Sequence, residues 1–203
     1  MKYILFDEPE IVIEGDVMET MRTFVAVDVP GEIKRELDGL VSKLREVAPD
    51  IRWVRAANLH LTMRFLGDVP KDSVADLAAG LARNLSGFGP FEISLAGIGG
   101  FPNLKKARVI WVGGGQGAER LYELAPLVEK SCRDCGFGAA DKPFSSHLTI
   151  GRVKFPKGHE KLITLVESMD FESPLFEVEE VAIFKSDLLP AGPRYTRLET
   201  IRL

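Results

Sequence analysis

At 203 residues, 45% hydrophobic and 28% charged, the chain has an ordinary globular composition and enough length for one domain or two small lobes. Its 26 basic residues against 30 acidic ones leave a net charge of -4, the reverse of the balance expected of a bulk nucleic-acid binder. Cys132 and Cys135, the two cysteines, are too few and too close together to staple a secreted domain. The opening MKYILFDEPE lacks the apolar stretch of a signal peptide, and no later run approaches the roughly 18 apolar residues of a membrane span. A cytoplasmic protein without membrane contact is expected.

Residues 22–29, RTFVAVDV, are rich in β-branched residues and stop at Pro30, which predicts a buried strand. Ile33, Leu37, Leu40, Val41, Leu44 and Val47 then form one apolar stripe on a helix that ends before Pro49. Strands are expected at 51–54 and 58–66, with a turn near Gly67, Asp68 and Pro70. A second helix carries Val74, Leu77, Leu81 and Leu85, and strand FEISLAGI follows at 91–98. Residues 99–107 read as a loop with a basic tip, and RVIWV at 108–112 as a strand. A third helix spans about 118–135, with Pro126 expected to kink it or shift its start. SSHLTI at 145–150 predicts a short strand, Leu162 to Met169 a short helix, and 175–185 and 195–203 two long strands.

Many of these strands are joined by connections too short for a crossover helix, so an α+β fold with antiparallel pairing is expected rather than a doubly wound parallel sheet. One self-similarity stands out. His60-Leu61-Thr62-Met63 and His147-Leu148-Thr149-Ile150 share the pattern His-apolar-Thr-apolar, 87 residues apart and both in predicted strands. On a strand the His and Thr point to one face while Leu61, Met63, Leu148 and Ile150 enter the core. If the two halves are related by a pseudo-twofold, the His-Thr pairs converge on one cleft.

Such a cleft suits displacement at phosphorus. A neutral imidazole takes a proton from the attacking hydroxyl while a protonated one gives a proton to the leaving oxygen, and histidine titrates close enough to neutrality for both forms. Two threonine hydroxyls would bind non-bridging oxygens, and Arg152 would add a forked donor and a permanent charge. A single such histidine is ordinarily a satisfied strand residue; two of the chain's three histidines in one tetrapeptide, one per half, weigh against that. His159, beside Gly158, reads as an exposed loop residue.

The paired motifs resemble those of the two-histidine phosphoesterase superfamily, and in particular its LigT-like branch, the RNA 2',3'-cyclic phosphodiesterases also called 2'-5' RNA ligases. Flanking residues extend the resemblance: NLHLTMRFLG at 58–67, FPN with ARVIWVG at 101–113, HLTIGR at 147–152 and KSDLLPAGPRYTRLETIRL at 185–203. It implies a bilobal α+β fold with two pseudo-twofold-related lobes of antiparallel sheet, helices outside and a central cleft. The implied reaction opens the cyclic phosphate at an RNA 3' end, tRNA fragments among the candidates, by cleaving the bond to O3' and leaving a 2'-phosphate. With an RNA 5'-hydroxyl in place of water the site would make a 2'-5' linkage. On this resemblance His60 is the proton donor, His147 the proton acceptor, and Thr62, Thr149 and Arg152 the phosphate ligands. No metal or nucleotide cofactor is implied, and a monomer is expected. The rival within the fold is a non-catalytic RNA-end or nucleotide binder.

Strand parity puts Arg64 on the face of His60 and Thr62, where it would touch substrate or form an ordinary ion pair, and puts Phe65 in the core rather than on the cleft as a base-stacking platform. Tyr195 lines the cleft or fills the last sheet. Gly113, Gly115 and Ala118 fit G-x-G-x-x-A, the outline of a dinucleotide fingerprint, without its βαβ context. Cys132 and Cys135 make a C-x-x-C with no partner pair for a metal, which reads as structural.

The charge divides unevenly. Residues 1–20 hold one lysine against six acids, a net -5, which leaves +1 for residues 21–203. Two regions are therefore expected: an acidic extension over 1–20, whether a hairpin, a tail or a stretch upstream of a start at Met21, and the two-lobed domain over 21–203. In the latter Lys105, Lys106, Arg108, Arg152 and Lys154 are available to line a cleft for one RNA terminus.

Overall fold

The computed structural model describes residues 19–155, 158–190 and 192–203. The hairpin considered for residues 1–20 lies, apart from Glu19 and Thr20, outside them. In chain order the elements are β1 (Thr20–Asp28), α1 (Gly31–Val47), β2 (Arg52–Trp53), β3 (His60–Pro70), α2 (Ser73–Leu85), β4 (Phe91–Ile93), β5 (Leu95–Phe101), β6 (Val109–Gly114), α3 (Glu119–Asp134), β7 (His147–Arg152), α4 (Glu160–Glu167), β8 (Phe176–Val178), β9 (Glu180–Leu189) and β10 (Gly192–Arg202).

Among the described residues all strand pairs are antiparallel, and the main sheet runs β10-β9-β1-β3-β7-β6-β5, with β2 added on β7. One lobe is β10-β9-β1-β3 and the other β7-β6-β5. They meet at a single residue pair, Leu61 with Leu148. Alternation along each strand sends one set of side chains to a shared apolar core, where Val25, Leu61, Ile110, Leu148 and Ile183 lie against Leu37 of α1, Leu77 of α2, Leu121 of α3 and Leu162 of α4. The opposite face of the sheet, on which no helix packs among the described residues, is where the site forms.

Strand β5 runs on to Phe101, into residues expected to be a loop, because Gly99 to Phe101 pair with Val109 to Trp111 of β6. Three further expected elements come out differently, each for a local reason. FEISLAGI breaks at buried Ser94, whose amide donates to the Gln116 carbonyl and whose hydroxyl accepts from the Gln116 amide, both at 2.9 Å. The piece before the break, β4, then pairs with β8 in a separate two-stranded sheet. The turn expected at Gly67 is a bulge instead: Gly67 takes φ 76°, the pairing skips Leu66, and β3 continues to Pro70. Helix α3 runs through Pro126 and begins at Glu119, well before it, so the proline forfeits one backbone bond without ending the helix.

Candidate active site

Because Leu61 and Leu148 are both in the core, their neighbours His60, Thr62, His147 and Thr149 stand on the open face. Antiparallel pairing at that one point sets His60 opposite Thr149 and Thr62 opposite His147. The four side chains form a square with the histidines at opposite corners, diagonal neighbours at roughly 7–8 Å between backbones. The pseudo-twofold expected from the repeat passes through the Leu61–Leu148 pair.

The two imidazoles are held alike. Nδ1 of His60 lies 2.9 Å from the carbonyl of Asn58, and Nδ1 of His147 lies 2.8 Å from that of Ser145, in each case two residues upstream. A carbonyl only accepts, so each Nδ1 carries the proton and each Nε2 is left as the ring's acceptor.

The repeat extends past the motifs into the backbone. Pairing of β1 with β3 skips Met63, and pairing of β6 with β7 skips Ile150, so each strand bulges immediately after its threonine. A bulge inverts the parity of the residues beyond it. In β7 this brings Arg152 onto the face of Thr149, where it lines the cleft beside His60. In β3 it reverses the face expected of each residue, while Arg64 forms the ion pair that was one of its two readings. Arg64 turns to the helix side, where Nε sits 2.8 Å from Glu129 of α3 and Nη2 donates to the Gly138 carbonyl at 2.8 Å. Phe65, expected in the core, is 44% exposed on the cleft wall with the Arg22 guanidinium 4.5 Å over its ring.

The cleft has a volume of about 490 Å³, and His60, Thr62, Thr149, Arg152 and Tyr195 are among its walls. His147 is not among those walls; it follows Thr62 across the seam with its ring edge-on to Phe101, centroids 5.0 Å apart. His60 is embedded in aromatics. Its ring stacks on Phe24 at 4.8 Å, meets Tyr195 edge-on at 5.1 Å and lies 6.3 Å from Phe184. Burial by these rings pushes its pKa down to about 4, against the upward pulls of the Asn58 hydrogen bond and Asp28, with Lys34 and Arg152 adding to the fall. Tyr195 thus satisfies both sequence readings, half-buried and lining the cleft, and its burial raises its phenol pKa.

The cations at this cleft are Arg22, Arg52, Arg55 and Arg152. Of the five basic residues expected there only Arg152 is among its walls; Lys105 lines a separate cavity with Leu162 and His159. Sequence reading missed Arg22, Arg52 and Arg55, since which face a strand end presents depends on pairing not visible in the chain.

The other singled-out residues have structural work. A Cβ on Gly115 would meet the Ser94 hydroxyl at 2.3 Å, and one on Gly117, at φ 75°, the Glu92 carbonyl at 2.1 Å. The protein's own atoms fill the space of a dinucleotide cradle. Cys132 is buried, which pushes its thiol up to about 12, and Cys135 packs against Gly80 of α2. His159 is not an exposed loop residue: only 11% of its side chain is accessible, and Nε2 lies 3.1 Å from Asp50. Among the described residues no cluster of three or more His, Cys, Asp or Glu could hold a metal, and no helix is long and apolar enough to cross a membrane.

The model of the LigT-like phosphoesterase family matches residues 27–111 and again 112–195. The chain belongs to that family. Each match of the LigT-like pattern contains one motif, His60 with Thr62 in the first and His147 with Thr149 in the second, and the two meet within β6. The RNA 2',3'-cyclic phosphodiesterase of Methanothermobacter thermautotrophicus is 34% identical over 184 residues, covering 90% of this chain and 99% of the relative. The one from Thermotoga maritima is 36% identical over 176 residues, covering 86% and 91%. Among solved structures, E. coli LigT complexed with 3'-AMP superposes with a TM-score of 0.72 at 27% identity, over 91% of this chain and 99% of the other.

Proposed function

We propose that this LigT-like protein is an RNA 2',3'-cyclic phosphodiesterase that opens the terminal ring to a 2'-phosphate. The observation that carries this reading is the square at the Leu61–Leu148 seam, with both Nε2 atoms free and a hydroxyl beside each. A phosphorus centred on it has a base on one side and an acid on the other, as in-line displacement requires.

In the proposed step, Nε2 of His147 takes a proton from water as the water oxygen bonds to phosphorus. The bond from phosphorus to O3' breaks, and His60 gives its Nε2 proton to that oxygen. Thr62 and Thr149 donate to the non-bridging oxygens, and Arg152 offsets their charge. His60 is neutral in the ligand-free cleft, so the phosphodiester anion is the charge that draws a proton onto it. The proton so held on Nε2 is the one delivered to the leaving oxygen. An RNA 5'-hydroxyl in the place of water would give a 2'-5' linkage.

The test is a phosphorus NMR assay of a short RNA cyclic phosphate in the presence of chelator. Conversion to the 2'-phosphate alone is expected; the 3'-phosphate would reverse the assigned leaving group, and binding without turnover would favour a non-catalytic RNA-end binder. The reading confines the chemistry to residues 21–203, so protein lacking residues 1–18 should turn over at the full rate. As one RNA terminus fits one site, a monomer is expected to suffice.

A further inference from the structure

We infer that a row of cations leading out of the cleft along the end of the β7-β6-β5 lobe holds the phosphates of the RNA strand behind its cyclic end. The inference rests on the proposed RNA substrate and makes an oligonucleotide, rather than a mononucleotide, the preferred one. The net charge of -4 hides a segregation. Residues 51–67, 93–118 and 142–159 contain ten of the chain's 26 Lys and Arg, and all 30 acids lie outside them. These three stretches are neighbours in the sheet, since β7 pairs with β2, β3 and β6, and β6 pairs with β5. Folding therefore brings the acid-free segments together.

Strand β7 carries the path. It leaves the square at Thr149 and reaches the end of the lobe at Arg152, where Arg52 of β2 stands directly opposite on the same cleft wall. Beyond it the Val153 amide donates to the Arg108 carbonyl at 3.0 Å, which sets Arg108 beside Lys154. The turn Leu104–Lys106 completes the row, with Lys105 and Val153 lining one cavity. Arg52, Lys105, Lys106, Arg108, Arg152 and Lys154 are all exposed, and among the described residues none of them pairs with a carboxylate. Elsewhere on the surface Arg120, Arg194 and Arg197 each sit against one. Like charges directly opposite on neighbouring strands repel, so the Arg52–Arg152 pair suits a site that an anion fills. From Thr149 to Lys154 is five residues, less than about 17 Å at ~3.3 Å per residue, room for a few phosphates. A single nucleotide occupies the cleft and leaves the row beyond Arg152 without an anion. Because the row begins at the cleft wall, the polyanion that reaches it is the one whose end the cleft holds. Contacts to phosphate carry no base preference, so length rather than sequence sets the gain.

Substrate length and salt read this row. With KM measured on uridine 2',3'-cyclic phosphate and on octauridylate bearing the same end, the octamer's KM should be about 10-fold lower or better at low salt. Each phosphate engaged adds about 0.7 to the slope of log KM against log salt, so the slope should rise from about 0.7 for the mononucleotide to about 3 for the octamer. The triple variant Lys105→Gln, Lys106→Gln, Lys154→Gln should raise the octamer's KM about 10-fold and lower its slope by about 2, while kcat and the mononucleotide's KM stay within about twofold. A control, Lys43→Gln, Lys71→Gln, Lys130→Gln, removes the same charge from α1, the residue after β3 and α3, and should leave the octamer's KM within about twofold. Equal KM for the two substrates in wild type, an octamer advantage that survives the first variant, or an equal loss in the control would each overturn the row. Fluorescence anisotropy with a labelled octauridylate ending in a 2'-phosphate reads the same surface without turnover and should show the same loss in the first variant. Absence of turnover in wild type, by contrast, would count against the phosphodiesterase reading and leave the anisotropy to decide the row.

Discussion

The two His-x-Thr motifs share a backbone and differ in their surroundings. Both sit at the Leu61–Leu148 seam, both anchor Nδ1 on the carbonyl two residues upstream, and both are followed by a bulge. His60 is sealed against Phe24, Tyr195 and Phe184, whereas among the described residues His147 has a single ring contact, edge-on with Phe101. Repetition thus fixes where the imidazoles stand, and the neighbouring strands fix what each can do. In the β10-β9-β1-β3 lobe, Phe24 of β1, Phe184 of β9 and Tyr195 of β10 strip water from His60. The β7-β6-β5 lobe has no equivalent cluster among the described residues.

Replacing either histidine is the severest way to break the pairing. His60→Ala and His147→Ala should each lower kcat by about 100-fold or more with the fold intact, since each removes half of the proposed proton transfer. Wild-type rates in one of them would remove that residue from the mechanism and reduce the pair to a single working motif. Thr62→Val and Thr149→Val probe the other two corners, and each should cost about 10- to 100-fold in kcat, less than a histidine. If the pseudo-twofold governs phosphate binding, their losses should agree within a few-fold. A large effect at one and none at the other would show that only one lobe holds the phosphate.

The corners of this site were legible in the chain because a tetrapeptide repeated on two strands carries its own parity argument, and the apolar partners Leu61 and Leu148 supply the core face. The positions beyond the threonines were not legible. Counting by twos from Thr62 sends Arg64 to the cleft and Phe65 to the core, and one extra residue at Met63 reverses both. A bulge arises from pairing with β1, and no residue type at 63 announces it. Arg152 was placed correctly by sequence only because Gly151 left its direction open. The fold shows the same limit: strand and helix stripes were readable, while the break at Ser94 depends on a hydrogen bond to Gln116, 22 positions away.

The contrast in burial should also appear in stability. His60 has its ordinary value of 6.5 in the unfolded chain and about 4 in the folded one. Between those values the unfolded state holds more protons, so stability is full above pH 6.5, falls as pH drops and has lost its share below about pH 4. At 1.36 kcal/mol per unit that share is up to about 3 kcal/mol. Urea midpoints at pH 7 and pH 4.5 should therefore differ less in His60→Gln than in wild type. Equal differences in the two proteins would mean that His60 is not held neutral by its surroundings.

The smallest change that sharpens the comparison is Phe24→Leu. It removes the ring stacked 4.8 Å from His60 while keeping the β1 pairing, at a stability cost on the order of 1 kcal/mol. Water then reaches the imidazole, and its NMR titration midpoint should move up from about 4 toward 6.5. Phe101→Leu, on the other histidine, should leave the His60 midpoint where it is. The effect on rate at neutral pH should be no more than a few-fold, because two consequences oppose each other. A higher pKa puts the donor proton on more of the enzyme and makes that proton harder to give away. A large gain in Phe24→Leu would show that protonation limits the native enzyme, and a large loss would show that acid strength does. Either result would assign the aromatic seal a catalytic purpose that the matching backbone of the two motifs leaves open.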